Sequence, residues 1–417
     1  MNRSRQRSLA VIAAVGLVGA LAACSSSGGS PDAGASSAPT GSDVNVWTTY
    51  PANVNSDQIG AGVKAGVRAI NADGGLAGHN VVVKECKSDL TPQGEIACFQ
   101  QAVDDPDAVA LISPLVITAG DDTDAIIEEA GLPAINSNPD TPAALKGAMQ
   151  FPLGQNLYDQ PGCAVLGGDA VGAKSITLAV SETPNAQEQA ADAAALVEAR
   201  GVTTETLTFP VSTTDISPYV QQAIDTDADL IMPAAPPQLM GAWITAQGRS
   251  GYEGAMCVSD GLAPYQVLAG LGPDISDIYL TGSFPEVTWD YPLLDEFNKQ
   301  AQAEVDAGDA LASPAPENNP NLVFRGWLGA YALAQAAENL SGDELTKEAL
   351  VEALNSTTVT FGPEGDAPMP PIDFSVPNPN PDMPRQFNTG VILKKWNPET
   401  VTIDPVGDGL PVPGDEL

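Results

Sequence analysis

Residues 57–85 read DQIGAGVKAGVRAINADGGLAGHNVVVKE. Ile59, Val63, Val67 and Ile70 recur at helical spacing, so residues 58–71 read as an amphipathic helix. Gly74 and Gly75 suit a left-handed turn that ends it. The valine-rich run 80–85 then has strand composition. With residues 44–48 as a strand before the helix, the stretch is a β-α-β unit, which joins parallel strands.

The alternation continues outward. Pro92–Asp104 reads as a helix with Thr91 as N-cap and Pro92 at its first position. Residues 108–113 form a continuous apolar strand, 121–130 a helix and 132–136 a strand. A second run follows: strands at 175–180, 202–209, 228–232, 255–259 and 278–281, with helices at 186–200, 217–225 and 239–247. Residues 156–171 suit a connecting helix between the runs. Two such halves predict an α/β protein of two doubly wound parallel-sheet lobes, with ligands expected where the strands' carboxyl ends meet. Helices at 294–307, 322–340 and 347–355 come next, then a long Pro- and Asn-rich loop at 362–384. Closing strands are expected at 387–395 and 401–403. The expected division is 43–151 with 284–356 for lobe 1 and 152–283 with 357–417 for lobe 2. In the 322–340 helix, Val323, Trp327, Tyr331 and Ala334 read as a core stripe.

The N-terminal segment carries its own signals. Arg3, Arg5 and Arg7 precede an apolar run, residues 9–20, too short to span a bilayer. Leu21-Ala22-Ala23-Cys24 then resembles the lipobox of bacterial lipoproteins. Residues 1–23 are thus expected to be a signal peptide and Cys24 a lipidated N-terminus; an ordinary signal peptide before an incidental cysteine is the other reading. Residues 24–42 have linker composition and would tether the domain to a membrane through lipid alone. The formal charge of −36 over 417 residues argues against nucleic acid or anionic lipid as partners. Cys86, Cys98, Cys163 and Cys257 make an even set, which in an exported chain favours disulfides over free thiols. Cys86 at a strand end and Cys98 two turns into the next helix are expected to pair, as are Cys163 and Cys257. A single histidine, His79, and the lack of CxxC leave no zinc site, and no cofactor or metal is expected. A Ser-His-Asp triad would need His79, which falls in a turn, and GxSxG is missing. An enzyme is therefore not expected.

Residues 69–78, Ala-Ile-Asn-Ala-Asp-Gly-Gly-Leu-Ala-Gly, resemble the INxxGGxxG segment of type I periplasmic binding proteins, the leucine/isoleucine/valine-binding group. Residues 108–114 and 129–135 are similar to that family's third strand, helix and GxP strand, and the helix around residues 327–336 fits too. The resemblance spans about residues 43 to 410. It implies two lobes joined by a multi-strand hinge and capture of a small polar solute, an amino acid, amide or similar, for the permease of an ABC importer. A membrane-tethered sensor or scaffold on the same fold is the alternative.

The resemblance also implies site positions. In lobe 1, Ile117 and Thr118 follow the third strand, where the family holds a carboxylate with hydroxyl and backbone N–H groups. Ser137 and Asn138 follow the fourth strand, near a helix start that favours anions. Asn55 and Asn185 stand where the family's amino-acid binders often have tyrosine. In lobe 2, Asp260 matches the acid that pairs with a ligand ammonium; an Asp-Gly turn is its plain alternative. Trp47 and Tyr50 follow the first strand and are placed to stack on a ligand, with core packing the other reading for Trp47.

Overall fold

The computed structural model describes residues 38–417 apart from 53–55, 139–143, 155–157, 211, 236, 264, 274, 276, 341–344 and 364–365. The signal segment, Cys24 and Asn55 lie outside the described residues. Strands β1 (Val44–Pro51), β2 (Val81–Ser88), β3 (Ala108–Ile112), β4 (Ala134–Ile135) and β5 (Gln150–Phe151) form one sheet, in the order β2-β1-β3-β4-β5. All its pairings are parallel. Ala110 and Ile112 of β3 face a core shared with helices Asp57–Ala72, Pro292–Asp306 and Pro320–Ala337. Ala108 and Leu111 face the opposite core, under Pro92–Asp104 and Gly120–Ala130. Burial on both faces is why β3 reads as an unbroken apolar run.

The second sheet contains β6 (Ser175–Ser181), β7 (Thr203–Phe209), β8 (Leu230–Ala234), β9 (Ala255–Ser259) and β10 (Ile278–Gly282), all parallel. A small antiparallel pair, β11 (Thr358–Val359) with β12 (Ile372–Asp373), stands apart. The antiparallel strands β13 (Ile392–Asn397) and β14 (Thr402–Pro405) complete the second sheet, whose order is β14-β13-β10-β9-β8-β6-β7. Its side chains alternate strictly. Leu230, Met232, Ala255 and Cys257 enter one core, and Ile231, Met256 and Val258 the other.

The chain passes between the sheets three times: after β5, after β10 and before β13. Buried amides pin two crossings together. Gln386 Nε2 donates to the Gly154 carbonyl at 2.9 Å, and Asn388 Nδ2 to that of Leu153 at 2.8 Å. These side-chain bonds replace a ladder, so β13 starts at Ile392 rather than at 387. The domain division needs a correction as well. Val359, Phe361, Met369, Ile372 and Phe374 belong to the first core rather than to the second lobe, because β11 and β12 lay their apolar side chains against it. The expected loop at 362–384 therefore carries one strand. The connecting helix runs in three pieces from Asp159 to Val171, with a π-helical turn at Cys163–Gly167. Both disulfides form as expected. Cys86–Cys98 ties the end of β2 to its following helix, and Cys163–Cys257 ties the connecting helix to β9.

Helices Asp57–Ala72 and Pro320–Ala337 meet backbone to backbone. A methyl group at Gly62 would run into the Val323 carbonyl, and one at Gly326 into that of Ile59. Helix propensity alone gives Gly→Ala about 1 kcal/mol of stabilisation. Here the added carbon has no space, and overpacking costs about 1–3 kcal/mol. Gly62→Ala and Gly326→Ala should each lower the urea midpoint. A raised midpoint in either variant would show that the helices can part at no cost.

Candidate functional site

At the carboxyl edge of the first sheet, β3 and β4 both end in left-handed residues, Ser113 at φ 49° and Asn136 at φ 53°. Such backbone is costly outside glycine and persists where contacts over-determine it. Here the contacts converge on one carbonyl. Ser113 Oγ and Asn136 Nδ2 each donate to the Arg325 carbonyl oxygen at 2.8 Å. The Arg325 guanidinium reaches back over the same strand ends. It donates to the Pro114 carbonyl at 3.2 Å, the Asn136 carbonyl at 3.4 Å and Asn138 Oδ1 at 3.3 Å.

The loop after β3 differs from expectation. The backbone N–H groups of Ile117, Thr118 and Ala119 all donate to the Glu95 carboxylate, at 3.1, 2.9 and 2.9 Å. Glu95 is buried on helix Pro92–Asp104, whose N-cap is Thr91. The physical cause is the start of helix Gly120–Ala130, whose N-cap residue Ala119 has no side-chain acceptor. A buried carboxylate supplies the acceptor and suits the positive end of the helix dipole. These N–H groups are therefore taken by the chain itself, while the side chains of Ile117 and Thr118 stay exposed. Ser137 is buried, and among the described residues its Oγ has no hydrogen-bond partner. It borders a cavity of about 20 Å³, also lined by Pro114, Val116, Asn138 and Gln150. That space fits one water-sized molecule and no solute.

Tyr50 requires a correction. It is only 1 % exposed, and its hydroxyl donates to Glu85 Oε1 at 2.5 Å, beside the Lys64–Glu85 ion pair at 2.7 Å. Burial first, then the Glu85 hydrogen bond and charge, push its phenol well above the usual range. The residue alternation along β1 turns this ring under helix Asp57–Ala72, where its hydroxyl lies against Gly60. Trp47 packs against the core beneath Pro92–Asp104, with Nε1 on Asp105 Oδ2 at 2.8 Å. Asn185 lies in the first turn of helix Pro184–Glu198. His79 sits where β2 begins, at the opposite edge from these strand ends, with Nδ1 2.9 Å from the Ser42 carbonyl.

On the second sheet, Asp260 follows β9 directly, as expected, but its carboxylate is engaged within the chain. Lys394 Nζ on β13 meets Asp260 Oδ2 and Glu286 Oε1, both at 2.6 Å. Glu286 lies on the crossing after β10, and its second oxygen accepts from Asn321 Nδ2 at 3.1 Å, on the first-core helix. This chain of contacts links the second sheet to the first core. Burial works to lower the Lys394 ammonium, but the charges and hydrogen bonds of Asp260 and Glu286 overcome it and hold it above its usual range. Nearby, Ser259 Oγ donates to Asp159 Oδ2 at 2.8 Å. A separate hollow of about 520 Å³, lined by Asp227, Asp229, Glu253 and Asp277, lies where β8, β9 and β10 begin. That is the amino edge, opposite to where parallel sheets bind ligands.

Sequence reasoning missed Arg325, Lys394, Glu286 and Glu95. Two of them had a signal. Arg325 is a lone charge inside the apolar run of residues 322–334, and Lys394 shares the inward face of its strand with Ile392 and Trp396.

A family model described as periplasmic binding protein matches residues 48–384. Among solved structures, the chain is similar to a substrate-binding periplasmic protein from Ralstonia solanacearum. The two share 16 % identity at a TM-score of 0.70, over 87 % of this chain and 100 % of that one. It is also similar to the leucine binding protein LivK of Thermotoga maritima, at 15 % identity and a TM-score of 0.68, over 90 % and 100 %. A third is a solute binding protein of an ABC transporter from R. palustris, in complex with 4-hydroxybenzoate, at 16 % and 0.71, over 90 % and 99 %. Identities this low speak for the fold. A search of curated proteins finds no match.

The Lys394 contacts give a measurable expectation. Lys394→Met leaves Glu286, whose side chain is 8 % exposed, without its cation. Breaking a buried pair from one side costs about 3–5 kcal/mol. Because the folded-state pKa lies above the unfolded one, the ammonium's contribution is complete below the unfolded amine's range. It is lost as pH rises toward the folded value. Urea denaturation should therefore show the wild-type advantage constant from about pH 6 to 9 and shrinking only in strong alkali. Equal midpoints for the two proteins at neutral pH would refute the role.

Proposed function

The chain belongs to the periplasmic binding protein family, and we propose that it captures a small polar solute between two closing lobes for delivery to an ABC permease. The family is one of extracytoplasmic solute-binding proteins, not enzymes. The observation that carries the reading is where the crossings leave the sheets. β5 and β10 both exit at carboxyl edges, so the two binding edges adjoin one hinge. The cavity beside Ser137 at the first edge holds no more than a water-sized molecule. A site completed by closure follows, with Thr118, Ser137 and Asn138 on one side and the Ser259–Asp260 edge on the other. The family resemblance adds Asn55 and Asn185 to the proposed site. Similar solved structures include a leucine binding protein, a complex with 4-hydroxybenzoate and a fatty acid ABC transporter substrate-binding protein, so the fold accommodates varied solutes.

Differential scanning fluorimetry against amino acids, amides, polyamines and small organic acids tests this reading. A ligand at 100 times its Kd stabilises by about 2.7 kcal/mol, and X-ray scattering with that ligand should show a smaller radius of gyration. Stabilisation without contraction would reject closure, and no response to any class would reject capture.

We place the protein at the outer face of a membrane through acylation of Cys24, with residues 24–42 as tether. Cys24→Ala should move it from the membrane fraction to the soluble one and remove the lipid mass. Membrane association and mass that do not change would exclude the anchor.

A further inference from the structure

In a chain with 53 acidic and 17 basic residues, Arg325 lies among buried neighbours, Phe324, Trp327 and Leu328, without an acid. Among the described residues no carboxylate forms an ion pair with it. Among the described residues its polar partners are two carbonyls and one amide oxygen, all at 3.2–3.4 Å, and its Nε is buried without any. Burial draws the guanidinium down to about 10, and no neighbouring acid opposes that effect. A desolvated cation without a counter-ion is costly. Neutral carbonyl dipoles at these distances compensate it only in part.

The place matters as much as the charge. Arg325 lies over the ends of β3 and β4, the edge assigned to the solute, and shares Asn138 and the Ser137 turn with it. The other anion-binding device at this edge, the N–H groups of Ile117, Thr118 and Ala119, is already filled by Glu95. An acidic group on the solute would therefore need a different partner. The terminal nitrogen that donates to Asn138 keeps a second N–H.

We propose that Arg325 is the anchor for a carboxylate on the solute, so that this protein selects organic acids over neutral analogues. The inference rests on the capture reading above and narrows its solute class. The anion arrives with the ligand and supplies the charge partner that the chain withholds. Asp260, held by Lys394, has no need to meet an ammonium.

The test compares acids with their amides by calorimetric titration: 4-hydroxybenzoate, hexanoate and leucine, each against its amide, with inorganic sulfate as a bare oxyanion. Wild type should bind at least one acid over its amide by about 30-fold or more, and Arg325→Gln should remove that preference. Wild-type affinity should also fall as pH drops through the ligand's own carboxyl pKa. This second measurement decides the matter if Arg325→Gln does not fold. Amides bound as tightly as acids, or an acid bound equally by the variant, would overturn Arg325 as anchor and leave solute capture standing. Sulfate bound as tightly as any acid would overturn the carboxylate assignment. A protein that binds none of the acids overturns the inference, and silence toward every class in the fluorimetry screen removes the capture reading itself.

Discussion

Gly62 and Gly326 let helices Asp57–Ala72 and Pro320–Ala337 approach until backbone touches backbone. The second helix comes from far down the chain, after the five parallel strands of the second sheet, β6 to β10. Its seat on the first sheet is fixed by that contact and by Ser113 and Asn136, which hold its Arg325 carbonyl. Gly329 continues the approach, since a methyl there would meet Ser113 and Ile112. This docking brings a cation to the ends of β3 and β4. The left-handed backbone at Ser113 and Asn136 is tolerated because the same contacts over-determine it.

The distribution of charge follows from desolvation. An excess of acids keeps the surface anionic, and Lys64 and Lys394, both at least half-buried, have acids beside them, Glu85 for the first and Asp260 with Glu286 for the second. Buried acids are likewise answered, Glu95 by three N–H groups and Glu286 by Lys394 and Asn321. The Glu286 contacts span the crossing between second sheet and first core, so a change in lobe angle must carry them along or break them. Arg325 and Arg385 instead donate to backbone carbonyls and an amide oxygen, and Arg325 does so at the ends of β3 and β4.

Much of the fold was legible because it rests on local periodicity. Ile59, Val63, Val67 and Ile70 announced their helix, and the unbroken apolar run at 108–112 announced a strand covered on both faces. The short strands β5, β11 and β12 were not legible. Two-residue pairings carry no period, and they form only when distant segments meet. The site was less legible than the fold. Tyr50 ends β1 as a ligand-stacking residue would, yet strand alternation and Glu85 turn it inward. Ile117 and Thr118 sit in the expected loop, but Glu95, more than twenty residues away, occupies their N–H groups.

What the sequence by itself determined was the α/β alternation, the two halves, the family resemblance in residues 69–78 and the four cysteines that pair. All of these arise from neighbours along the chain or from residue type. Only the tertiary structure decided which charges are satisfied. Asp260 and Lys394 are 134 residues apart, and Arg325 lies 187 residues from Asn138. Whether a carboxylate or a guanidinium is free to meet a ligand depends on which distant side chains reach it, and on how much water its burial removes. Neither is written in local sequence.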